Sequence, residues 1–208
     1  MKVEILDSNN FLKTFKVRNA FFYFKKNIFY PHIYNAFKNR AFFQKNTKFS
    51  NFKIMNFNTE FRIYLEFLSH FILKNVILES KQNLDSNKFY IELIFSSESE
   101  IKKINHEYMG KNYATDVLSF PLEINFNITQ KQCFGSIIIN LPLALKNAKK
   151  FKHNLYAEIS ILYTHAFLHL LGFDHENILQ DKGNQRKIEK QILKSLKITN
   201  SLIERAKI

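Results

Sequence analysis

Residues 155–171 (LYAEISILYTHAFLHLL) are apolar on almost every side, so they predict a helix that the rest of the fold must enclose. A lipid bilayer would be the other way to satisfy such a helix. Glu158, Thr164, His165 and His169 interrupt it, however, and a lipid-facing helix does not carry such groups without a reason. The expectation is a buried helix of a soluble protein.

The 11-residue window His165 to His175 (HAFLHLLGFDH) holds three of the chain's seven histidines. His165 and His169 are four apart, which puts both imidazoles on one helix face, close enough to chelate one ion. Gly172 can take the positive φ that ends a helix and lets the chain turn back to bring His175 to the same point. Three neutral imidazoles leave a fourth position open for water, as in catalytic zinc sites, and nickel or copper suits the same ligands. Without a metal, two imidazoles in an apolar helix would each need a hydrogen-bond partner. Asp174 and Glu176 beside the third histidine are either acids that orient a ligand or solvated surface groups. Metzincin proteases share this histidine spacing but place a Glu directly after the first histidine as general base. Here Ala166 stands in that position, so the spacing implies a metal site without implying peptide hydrolysis.

Local signals place the other elements. Phe52 to Phe57 alternates like a first strand, with Met1 to Leu6 as a competing candidate, and Thr59 is a candidate N-cap for a helix reaching Val76. Lys88 to Phe95 reads as a strand, Ser97 to Gly110 as a helix ended by its glycine, and Asp116 to Leu122 as a second strand. These three are expected to form a right-handed crossover between parallel strands. Phe134 to Ile139 is a further strand, close enough in sequence to pair antiparallel with the one before it. Asn140 caps a helix with Pro142 in its first turn, running to about Phe151, and Gln180 to Leu196 is a polar amphipathic helix. The expected fold class is α+β, a small mixed sheet of about four strands packed with about five to six helices, one of them zincin-like and metal-binding. Four glycines and no glycine-rich loop argue against a dinucleotide-binding fold.

With 208 residues and 46% hydrophobic composition, the chain can bury a core. Residues 1–50 carry +8 of the formal net charge of +13 and ten of the 23 phenylalanines. The chain therefore divides into a basic Phe/Lys/Asn-rich extension, residues 1–51, and a domain, residues 52–208. The extension is either an arm that stacks on bases and neutralises phosphates or a segment shaped by compositional bias. No signal peptide is expected, because its longest apolar run, Ala20 to Phe24, is five residues. A lone cysteine, Cys133, allows neither an internal disulfide nor a cysteine metal site and suits a reducing cytoplasm.

HAFLHLLGFDHE resembles the signature of the YbeY family of bacterial endoribonucleases, H-G-x-L-H-L-x-G-Y-D-H. INHEYMGKNYATDVLSFPLE, Ile104 to Glu123, resembles the family's second block, L-N-x-x-Y-R-G-x-x-x-x-T-D-V-L-S-F-P, and FGSIIIN is a third, weaker match. The resemblance covers roughly residues 52 to 208. It implies one zinc held by His165, His169 and His175. It further implies cleavage of single-stranded RNA in late ribosomal RNA maturation (16S 3′ end) and ribosome quality control, with the small ribosomal subunit as partner. The signature helix would then form the floor of a cleft walled by the strand Asp116 to Leu122.

Three positions depart from the family pattern: Ala166 for Gly, Phe173 for Tyr, and Met109 for an Arg thought to touch RNA. Losing a preorganised donor beside a developing phosphate charge costs on the order of 100-fold to 1,000-fold in rate. Lys111 can substitute as a point charge but not as a bidentate fork. Thr115, Asp116 and Ser119 take either local hydrogen-bonding or functional roles, and Lys146, Lys149, Lys150 and Lys152 form either an RNA-binding or a solvated face. Two rivals stand beside the ribonuclease: a non-enzymatic ribosome- or RNA-binding factor with a structural metal, and a zinc peptidase.

Overall fold

The computed structural model describes residues 1–6, 57–80, 88–124, 130–173 and 184–198. In chain order these form β1 (Lys2–Leu6), α1 (Phe57–Ser80), β2 (Phe89–Ser96), α2 (Glu98–Met109), β3 (Val117–Pro121), β4 (Gln132–Asn140), α3 (Leu141–Lys150), α4 (Leu155–Leu170) and α5 (Asn184–Ser195). The four strands make one mixed sheet in the order β1-β2-β4-β3, so the described residues have the expected α+β architecture with five helices.

β1 runs parallel to β2, β2 parallel to β4, and β3 antiparallel to β4. The expected parallel pairing of the β2 and β3 segments is therefore wrong. The parallel partner of β2 is β4, and β3 is the outer strand. Composition explains the order. Ile137, Ile138 and Ile139 of β4 are buried on both faces of the sheet, as a central strand requires, whereas β3 carries Ser119 and Pro121, and proline belongs on an edge. Of the two candidate first strands, Met1 to Leu6 supplies β1, with Val3 opposite Ile91. Residues 52–56 of the other lie outside the described residues, and Phe57 opens α1. The first six residues thus join the sheet of the unit expected to begin at residue 52, while residues 7–51 of the expected extension are outside the description.

The strands sort their side chains by alternation. Val3, Ile91, Leu93, Phe95, Ile137 and Ile139 enter the main core, shared with α1, α4 and α5. Leu118 and Ile138 face the other way and pack with Ile101 of α2. On the main-core side of the sheet α4 is enclosed as its sequence demands: every residue from Tyr156 to Leu168 is buried, and the helix packs against β3, β4, α1, α3 and α5. Each fully buried large aliphatic side chain here contributes about 1.5–3 kcal/mol.

Capping fixes where the helices start and stop. Ser97 and Glu100 form a reciprocal capping box at α2, and Gly110 closes that helix in the left-handed conformation at φ 68°. The side chains of Asn140 and Asn154 accept the backbone N–H groups of Leu143 (3.2 Å) and Ala157 (2.8 Å), starting α3 and α4. α4 is also pinned to α1 by two buried Tyr–Ser pairs. Ser160 and Ser69 donate to the carbonyls of Tyr156 and Leu65, so Tyr64 donates to Ser160 and Tyr163 to Ser69, each at 2.7 Å. Among the described residues no helix is long and apolar enough to cross a membrane.

Candidate metal centre

α4 carries His165 and His169 one turn apart, and their Nε2 atoms converge to 3.2 Å. Two nitrogens bound at about 2.0–2.1 Å in a tetrahedral shell stand about 3.3–3.4 Å apart, so the pair has the bite of two ligands of one divalent ion. His165 is buried and His169 is half-buried, which leaves the pair open on one side. On its far side, Nδ1 of His165 lies 2.9 Å from Oε2 of Glu189, a carboxylate on α5 that is itself fully buried.

Gly172 ends α4 with the positive φ expected of it, while the return of His175 lies outside the described residues. The φ of Gly172 is 87°, its N–H donates to the carbonyl of His169 (2.9 Å), and that of Phe173 donates to Leu168 (3.0 Å). This pair of bonds is the Schellman arrangement, which closes the end of the helix. His175, Asp174 and Glu176 lie outside the described residues, so the described site holds two of the three expected ligands. Among the described residues no three His, Cys, Asp or Glu side chains are arranged so that they could hold a metal ion together.

The second motif block forms the end of α2, the following loop and β3. Asn105 is buried and donates to the carbonyl of Tyr113 (2.8 Å), while Asn140 donates its side-chain amide to Thr115 (3.0 Å) and its N–H to Asp116 (2.9 Å). Asp116 itself accepts the backbone N–H of Val117 (3.0 Å) and the hydroxyl of Thr115 (3.3 Å). Those contacts give Thr115 and Asp116 local structural roles. Ser119 sits in mid-β3, opposite Ile137. Met109, the last residue of α2, and Lys111, just after it, are exposed. Lys146, Lys149, Lys150 and Lys152 are all exposed along and just after α3, which packs on α4.

Sequence reasoning missed Glu189. A signal was present: buried Gln185, Ile188, Ile192 and Leu193 mark the inner face of α5, and Glu189 is an acid lying on that same face.

An α+β domain built round an enclosed, histidine-bearing helix is the class that this fold and site define. A family model described as Endoribonuclease YbeY matches residues 53–197, and the chain belongs to that family. It is 45% identical over 130 residues to "Endoribonuclease YbeY" of Helicobacter pylori (strain ATCC 700392 / 26695), covering 62% of this chain and 88% of that protein. The protein of the same description from Campylobacter jejuni (strain RM1221) is 45% identical over 115 residues, covering 55% and 81%. A Thermotoga maritima protein of known solution structure, TM1509, aligns at 22% identity with a TM-score of 0.41, covering 69% of this chain and 88% of that one.

Proposed function

We propose that this chain is a zinc-dependent endoribonuclease that cleaves single-stranded RNA in the cytoplasm, acting in late ribosomal RNA maturation at the 16S 3′ end and in ribosome quality control. The observation that carries this reading is the 3.2 Å approach of the His165 and His169 Nε2 atoms, in a chain of the YbeY family. His165, His169 and His175 would hold the ion. When bound, zinc supplies positive charge for a phosphate oxygen and acidifies water.

The chain's own residues supply the rest. The helix that holds the histidines is locked by burial on both sides and by the two Tyr–Ser pairs, so the nitrogens are placed before substrate arrives. Lys111 and the exposed lysines of the α3 segment offer phosphate contacts that read no base sequence. Ala166, buried where a peptidase needs its general base, gives no support to peptide hydrolysis.

Cleavage of a labelled single-stranded RNA by the wild type beside His169→Ala, in matched preparations at fixed salt, tests the reading. The wild type should cleave single strands in preference to duplex, and the variant should lose at least about 100-fold in rate. Equal cleavage by both would contradict the proposal. A second reading, a ribosome-associated RNA-binding factor with a structural metal, draws on the exposed Met109 where the family pattern has Arg. RNA binding without cleavage by either protein would favour it.

A further inference from the structure

We propose that Glu189 is a positioning residue for metal binding, holding His165 in the tautomer whose Nε2 lone pair faces the ion. This rests on the metal-site reading above. α5 turns Gln185, Ile188, Glu189, Ile192 and Leu193 inward, and Glu189 is the one ionisable side chain of that buried set. Burying a carboxylate is costly unless a hydrogen-bonded partner meets it. Its Oε2 lies 2.9 Å from His165 Nδ1, the length of a charge-assisted N–H···O bond.

An ionised carboxylate can only accept, so the shared hydrogen sits on Nδ1. Neutral imidazole carries one ring hydrogen, so His165 Nε2, which lies 3.2 Å from His169 Nε2, is then left with its lone pair. The carboxylate thus selects the tautomer, fixes the ring plane and makes the ligand nitrogen more electron-rich. In this way a helix outside the signature sets the ligand strength of its first histidine. A buried hydrogen bond with only a packing role would hold α5 against α4 without affecting how tightly an ion binds.

The test uses the full chain and zinc ion alone, with no RNA. In the zinc-free wild type, histidine ¹⁵N shifts should place the His165 hydrogen on Nδ1, a measurement that needs no variant. By competition with a fluorescent chelator, Glu189→Gln, which keeps the shape and loses the charge, should bind zinc about 10- to 100-fold more weakly. Glu189→Asp, which restores a carboxylate, should recover part of that loss. A hydrogen on Nε2 in the wild type, or equal zinc affinity in wild type and Glu189→Gln, would overturn the proposal. Wild type that binds zinc no better than His169→Ala would overturn the metal reading and this inference together, and it is recognisable because the unmutated protein itself fails.

Discussion

Gly135 of β4 lies so close beneath Leu170 at the end of α4 that a Cβ there would stand 2.8 Å from Leu170 Cδ2. The same Cβ would meet the carbonyl oxygen of Phe120 at 2.6 Å, and backbone held in a β ladder cannot swing aside. Gly135 also follows the register shift between β2 and β4 at Tyr90/Ile91. The missing side chain therefore sets how near the histidine helix sits to the outer strand. Gly135→Ala is expected to lose about 1–3 kcal/mol of stability by overpacking, read as a lower urea midpoint. A midpoint equal to wild type would show that the close approach is not needed.

Burial pushes the Tyr64 and Tyr163 phenols above the ordinary value of 10. The folded state keeps these protons while the unfolded chain releases them, so nothing changes below pH 10, and stability falls as pH climbs beyond it. The fall is at most about 1.4 kcal/mol per pH unit for each phenol. Tyr163→Phe should pay about 1 kcal/mol for the lost hydrogen bond at neutral pH and then fall less steeply above pH 10. Urea titrations at pH 8 and pH 11 read the difference; parallel losses in the two proteins would contradict it.

Lys152 ends α3 with φ 55°, a conformation that crowds any Cβ, and the N–H of His153 reaches back to Ala148 (3.0 Å). The backbone geometry is that of a glycine cap occupied by lysine. Lys152→Gly should raise stability by about 1 kcal/mol, seen as a higher thermal midpoint. An unchanged or lower midpoint would mean that the lysine side chain compensates the backbone strain.

How far the fold could be read depended on the range of the forces involved. β2, α2, α3 and α4 fall within about two residues of their sequence limits, because Ser97, Gly110, Asn140 and Asn154 mark the ends through bonds to backbone three to five residues away. Strand partnership is not local. The β2–α2–β3 order invited a parallel pair, but the all-isoleucine run of β4 competed for the centre of the sheet and displaced β3 to the edge. β1 was one of two candidate first strands, because five residues at the start of a basic, phenylalanine-rich stretch carry little pattern of their own. The histidine pair was legible from its spacing of four. Glu189 was not, because spacing shows that an acid lies on an inner helix face without showing which imidazole it meets.

Met109, the last residue of α2, is 44% exposed, two residues before Lys111. If this position limits catalysis for want of a bidentate donor, Met109→Arg should raise kcat/KM for single-stranded RNA by about 10-fold or more, with the largest part in kcat. Cleavage unchanged or slower in the variant would show that another group already serves the phosphate.

RNA cleavage through an ion held by the histidine pair can be tested directly. Chelator-stripped protein should be titrated with zinc while cleavage of a single-stranded RNA and bound metal are followed in the same samples. Cleavage should be absent at first and rise to a plateau at one zinc per chain, and His169→Ala should stay inactive throughout. Full cleavage by the stripped protein, or recovery by His169→Ala at one zinc per chain, would contradict it.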